Sequence, residues 1–124
     1  MYKIKIISNF SAAHFLRGYQ GKCENLHGHN WKVEVSVSSK KLDSSGMVMD
    51  FSELKKITAK VLEELDHKHL NELPYFSQNN PSSENIACHI FNELKEEFKG
   101  KDCKLEKVNV WETDTSCASY KETI

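Results

Sequence analysis

Within the stretch Cys23-Glu24-Asn25-Leu26-His27-Gly28-His29 the chain sets a thiol, a carboxylate and two imidazoles side by side. In an extended strand the two-residue period turns His27 and His29 to one face, where both rings reach one ion. Gly28 between them leaves the approach unobstructed. Imidazole nitrogen is a preferred zinc ligand, and catalytic zinc sites take three protein ligands and keep a fourth position for water or substrate. A third ligand is therefore needed. His14, in Phe10-Ser11-Ala12-Ala13-His14-Phe15, is the best candidate, because its small and apolar neighbours suit it poorly to face solvent. A bare His-x-His pair also arises without a metal, so the context has to carry the reading. Cys23 lies just ahead of the pair, and a thiol near a dication ionises more readily, which suits it to act as a base.

These groups need elements to hold them. Residues 2–15 read as a strand, with a slip in apolar alternation near Ile7 and Ser8, and residues 17–26 read as a polar loop with two glycines. The clearest strand follows. Trp31, Val33, Val35 and Val37 alternate with Lys32, Glu34, Ser36 and Ser38, the pattern of an antiparallel strand with one covered face. His27 and His29 share the parity of that face. Asp43-Ser44-Ser45-Gly46 is a turn signal, and Met47-Val48-Met49 reads as a brief return to extended structure. Asp50, with Glu53 behind it, resembles a capping box opening a helix whose stripe is Leu54, Ile57, Val61, Leu62 and Leu65. That helix closes in Asp66-His67-Lys68-His69-Leu70-Asn71, where a histidine charge at a helix end is the ordinary alternative to a chemical role. Ser82 or Ser83 caps a second amphipathic helix ending before Gly100. His89, set among its apolar residues, reads as structural. Residues 105–112 alternate as a strand, and 116–120 supply a hairpin partner. The order ββααββ predicts an α+β layer, an antiparallel four-stranded sheet with two helices on one face. Its open edges favour oligomerisation.

At 124 residues the chain fits one domain, 1–124, large enough to bury a core. Its 17 basic and 18 acidic residues leave a net charge of -1, which gives no electrostatic footprint for nucleic acid or an anionic membrane. A small-molecule partner is expected. No signal peptide or membrane span is read, which places the protein in the cytoplasm. Cys88, Cys103 and Cys117 form no Cys-x-x-Cys pair with each other or with Cys23 and read as small reduced apolar residues.

Taken together, Ala12-Ala13-His14, Cys23 with His27-Gly28-His29, Asp50-Phe51, Leu65-Asp66-His67 with Leu70-Asn71, Pro81-Ser82-Ser83-Glu84 and Glu112-Thr113 stand in an order that resembles the 6-pyruvoyl-tetrahydropterin synthase family. The bacterial 6-carboxy-tetrahydropterin synthases of the queuosine pathway are the branch it is most similar to. The resemblance implies the tunnelling fold, an oligomeric barrel built as a hexamer of two trimers with active sites between subunits. It implies Zn2+ on His14, His27 and His29, Cys23 as base, and Asp66 with His67 as a second acid–base pair. His69, two positions on, falls outside that pattern. Glu112 is implied as a further catalytic residue and looks like the pterin anchor, since a carboxylate accepts two hydrogen bonds from a pterin edge. Ser82, Ser83 and Glu84 match a stretch bordering the pterin, while also suiting helix capping. The implied substrate is 7,8-dihydroneopterin triphosphate, and the products of the carboxy branch are 6-carboxy-5,6,7,8-tetrahydropterin, acetaldehyde and triphosphate. The 6-pyruvoyl product is one alternative. Glu24 beside Cys23 resembles a subgroup carrying two bases, which implies a second product, 6-hydroxymethyl-dihydropterin. A non-catalytic zinc- or pterin-binding module is the alternative of another class.

Overall fold

The computed structural model describes residues 1–18 and 25–122. Its spine is a long antiparallel pair, β1 (Tyr2–His14) with β2 (His27–Ser39), in unbroken register from Tyr2↔Ser39 to His14↔His27. Alternation then sorts the side chains. Ile6, Phe10, Ala12 and His14 of β1 and Trp31, Val33, Val35 and Val37 of β2 are buried on one face. Helices α1 (Phe51–Glu63) and α3 (Ser83–Lys95) bring Leu54, Leu62, Ile86, Ile90 and Leu94 into the same core. Strand β4 (Lys104–Thr113) pairs with β2, and β5 (Ser116–Tyr120) pairs with β4, both antiparallel. No described helix is long and apolar enough to cross a membrane.

Among the described residues the sheet has five strands rather than the expected four, a short edge strand β3 (Lys68–His69) giving the order β3-β1-β2-β4-β5. This addition runs parallel to β1 against Ala12 and Ala13. Two residues carry no readable period, so the sequence pattern does not disclose it. A short third helix, α2 (Tyr75–Gln78), fills the link before α3. Met47-Val48-Met49 is not extended structure but loop, held by the buried Met49. The slip near Ile7 and Ser8 is not an irregularity of pairing either, because the register passes straight through it. Ile7 simply points away from the core, 56% exposed.

The starts of α1 and α3 are each capped by the polar residue before them. The Asp50 carboxylate accepts from the Ser52 N–H at 2.7 Å, while Glu53 turns outward to Lys101 at 2.9 Å instead of completing a reciprocal box. The Ser82 hydroxyl accepts from the Asn85 N–H at 3.2 Å. Such a cap contributes about 1 kcal/mol. It also fixes where the chain just before α3 lies, and that segment meets the end of β1.

The face of the sheet turned from the helices is polar but not open throughout. Glu34 there accepts from Trp111 Nε1 at 2.7 Å and from Asn109 Nδ2 at 3.1 Å. Burial pushes its carboxyl up, but these bonds with Lys5 and Lys32 outweigh burial and hold it below the usual range.

Candidate metal centre and active site

The β1–β2 register sets His14 directly opposite His27 and places His29 opposite Ala12, so three imidazoles meet at one end of the hairpin on the covered face. Trp31, fully buried, is their floor, with centroids 4.9 Å from His14 and 5.1 Å from His29. Parity explains why. His27, His29 and Trp31 are alternate residues of one strand.

The outer nitrogens of two of these rings are already committed. His14 Nδ1 lies 2.6 Å from the Pro81 carbonyl and His27 Nδ1 lies 2.7 Å from the Asn25 carbonyl. A carbonyl oxygen only accepts, so each Nδ1 carries the proton and each neutral ring keeps its lone pair on Nε2. Those two Nε2 atoms face each other at 3.1 Å. Lone pairs held so close repel unless a cation lies between them, and tetrahedral zinc with its usual bond lengths spaces two nitrogens by about 3.3 Å. His29 Nε2 adds a third donor. It is buried, and although Glu112 Oε1 is 2.9 Å away, the contact is too poorly aligned to give it a hydrogen-bond partner. Burial pushes the pKa of His14 and of His29 down, more strongly than Glu112 raises it, which favours the neutral ligand form. The donor set fits a metal ion.

His14, His27, His29 and Glu112 each bring one ligand atom within 4.8 Å of the others. Glu112 comes from the end of β4, and its second oxygen lies 3.3 Å from the Ser83 hydroxyl. Ser83 is the first residue of α3, while Ser82 is occupied as the cap. One carboxylate thus touches both the cluster and the helix start. Sequence reading placed Glu112 at the pterin but not among the metal donors, and nothing in the local sequence signals that nearness.

Asp66 and His67 are gathered elsewhere, on the outer edge of β1. Ser11 N–H donates to Asp66 Oδ1 at 2.9 Å, and the Ser11 carbonyl accepts from His67 N–H at 2.6 Å. His67 has φ 58°, a left-handed conformation uncommon outside glycine. The fold holds it there. Asp66 Oδ2 lies 3.0 Å from His67 Nδ1, which leaves Nε2 on a ring that is 83% exposed. Among the described residues neither is part of the four-residue cluster. His69 packs edge-on to Phe15 at 5.9 Å, and His89 lies against Tyr75 at 4.5 Å, and neither belongs to that cluster. Cys23 and Glu24 lie outside the described residues, between Gly18 and Asn25.

The Ser11 N–H, with His67 adding to it, holds the Asp66 carboxyl below its usual pKa. A depressed carboxyl stabilises the fold above its unfolded pKa, about 3.9, and loses that contribution as pH falls through the lower folded value. Asp66→Asn is therefore expected to lower Tm at neutral pH, with the gap narrowing below about pH 4. A gap that stays constant across an acid titration of Tm would assign the loss to shape rather than charge.

Comparison with known proteins shows the family and the fold. A family model described as 6-pyruvoyl tetrahydropterin synthase matches residues 3–123. The chain is 42% identical over 117 residues to a 6-carboxy-5,6,7,8-tetrahydropterin synthase of Synechocystis sp., covering 90% of this chain and 87% of that one. It is 38% identical over 112 residues to a dihydroneopterin monophosphate aldolase of Pyrococcus furiosus, covering 89% and 90%. The structure of 6-pyruvoyl tetrahydropterin synthase from Caenorhabditis elegans superposes with TM-score 0.88 at 32% identity, covering 98% of this chain and 96% of the other.

Proposed function

The chain belongs to the 6-pyruvoyl tetrahydropterin synthase family of lyase-type enzymes that act on pterins, and from that premise we propose that it is a zinc-dependent 6-carboxy-5,6,7,8-tetrahydropterin synthase. The substrate in this reading is 7,8-dihydroneopterin triphosphate, and the product feeds queuosine-type 7-deazapurine synthesis. The observation that carries it is the pair of facing Nε2 atoms 3.1 Å apart, each on a ring whose Nδ1 donates to a carbonyl on the far side. Relatives bearing the carboxy-synthase name support the choice of product.

Zinc held by His14, His27 and His29 would polarise the side-chain oxygens of the pterin and acidify the adjacent C–H. The protein's own groups do the rest. Buried Trp31 keeps water from the inner side of the cluster. Glu112 accepts from the pterin amino group and ring N–H, steadied by Ser83, while Ser82 and Glu84 border the ring. Cys23 takes the side-chain proton. Asp66 fixes the proton of His67 on Nδ1 and leaves Nε2 to shuttle a second one. Since Asp66 and His67 stand apart from the cluster, they serve the site of a neighbouring copy in this reading, and the bare face and edge of the sheet are where copies close the barrel.

The test is incubation of metal-loaded protein with dihydroneopterin triphosphate and identification of the pterin by mass. The 6-carboxy compound is expected, a 6-pyruvoyl product would move the chain to the other branch, and no consumption would leave a zinc- or pterin-binding module. A second reading has its own support in the aldolase relative and in Glu24 next to Cys23. Glu24 would direct cleavage to 6-hydroxymethyl-dihydropterin. Products of Cys23→Ala and Glu24→Ala decide it: hydroxymethyl-pterin that is never formed, or that persists without Glu24, ends the two-base idea.

A further inference from the structure

Beyond His14 the edge of β1 is continued by side chains rather than by a strand. The backbone groups of Ser11 meet Asp66 and His67, and Ala13 lies beside β3. Phe15 and Arg17 follow at the same two-residue spacing, and each is met by an asparagine. Phe15 N–H donates to Asn71 Oδ1 and Asn71 Nδ2 donates to the Phe15 carbonyl, both at 2.9 Å. Arg17 N–H donates to Asn80 Oδ1 and Asn80 Nδ2 donates to the Arg17 carbonyl, again both at 2.9 Å. A primary amide presents the same donor and acceptor as a peptide, so each asparagine acts as one rung of a ladder. The rungs hold Phe15 and Arg17 in place.

The two rungs differ in what stands behind them. Asn71 follows β3, and among the described residues its side chain is bonded only to Phe15. Asn80 is joined by its own peptide bond to Pro81, whose carbonyl accepts a hydrogen bond from His14 Nδ1. Asn85, in the first turn of α3, donates from Nδ2 to the Asn80 carbonyl at 2.8 Å, and its N–H goes to the Ser82 cap. Asn80-Pro81 is thus pinned on one side to Arg17 and on the other to α3. Proline has no N–H to donate at this point, so the segment's position rests on these side-chain bonds. A shift of the Pro81 carbonyl by a fraction of an ångström would weaken the bond that selects the His14 tautomer.

We infer that Asn80, supported by Asn85, is a positioning residue for His14: through the Pro81 carbonyl it keeps the proton on Nδ1 and the Nε2 lone pair aimed into the cluster. The inference rests on the reading of His14 as a metal ligand, and it has a consequence measurable without metal. Partners one shell out from a ligand typically change metal affinity 10–100-fold when removed. Asn71 is the control, since its loss removes an equal number of bonds from the same edge without touching Pro81.

In metal-free protein, imidazole nitrogen NMR is expected to show His14 as the Nδ1–H tautomer in the wild type and as a mixture in Asn80→Ala. Zinc titration with a competing chelator is expected to show affinity about 10–100-fold weaker in Asn80→Ala, and weaker by a smaller factor in Asn85→Ala. Asn71→Ala is expected to lose a comparable amount of Tm at unchanged zinc affinity. Should Asn80→Ala fail to fold, Asn85→Ala carries both readouts, because it leaves the Arg17 rung intact. A wild-type tautomer and affinity in the Asn80 variant, or in its Asn85 substitute, would overturn the inference. So would an equal affinity loss in Asn71→Ala. A wild type that shows the tautomer but binds no zinc would instead sink the metal reading and leave the positioning of the ring standing.

Discussion

His14→Ala is expected to leave the protein without retained zinc after dialysis against a mild chelator, and without turnover. His14 is 2% exposed, contacts the cluster through Nε2, and has its other nitrogen fixed by Pro81, so it is the most constrained of the three rings. Loss of an outer-shell partner alone costs 10–100-fold in metal affinity, and loss of the ligand itself should exceed roughly 100-fold. The truncation also opens space against Trp31, which is expected to lower Tm. His27→Ala separates the two effects, because His27 is less buried and should lose zinc with a smaller stability cost. Metal analysis on dialysed, folded protein is the measurement. One zinc per chain with normal activity in His14→Ala would remove it from the ligand set.

The second large effect expected is at Cys23. Cys23→Ala should lower turnover by about 10²–10⁴-fold, the range for a lost general base, with zinc content unchanged. Asp66→Asn and His67→Ala should also slow the reaction without releasing metal. The contrast matters more than any single rate. A Cys23 variant that loses zinc would make the thiol a ligand rather than a base, and wild-type rates in the Asp66 and His67 variants would take that pair out of the mechanism.

What could be read in the sequence was what short-range periodicity encodes. Alternation in β2 gave the covered face, and the same parity carried His27 and His29 onto it beside Trp31. The apolar stripes and polar caps of α1 and α3 were visible for the same reason. Elements of two to four residues, β3 and α2, left no pattern to find. Ile7 misled because an exposed isoleucine looks like a phase slip when only one strand is in view. At the site, His14 was found through its neighbours, but its partner Pro81 was not, because a backbone carbonyl has no residue type. The same holds for Asn71 and Asn80, which grip the chain more than fifty residues away. Long-range bonds from side chain to backbone are set by tertiary placement, and sequence spacing does not report them. Nor does it report that the Asp66–His67 pair would be assembled on Ser11, apart from the histidine cluster.

The unbroken pairing of β1 with β2 bears on the order in which the molecule assembles. His14 and His27 are 13 positions apart, and His29 follows two later, so all three rings belong to one hairpin. Closing so short a loop is cheap, and each doubling of loop length adds only about 0.6 kcal/mol, but Glu112 has to come from the far end of the chain. Contacts this local are expected to form before β4 docks. A chain with only its first hairpin in place would therefore already present the imidazole trio, and zinc would bind to states that are not yet native. Ligand bound by unfolded or half-folded chains adds less stability than its affinity for the native state dictates. Denaturation midpoints measured across a zinc series should accordingly rise less steeply than mass action on native protein alone would give, and a full mass-action rise would place the gathering of the three rings after the sheet is complete.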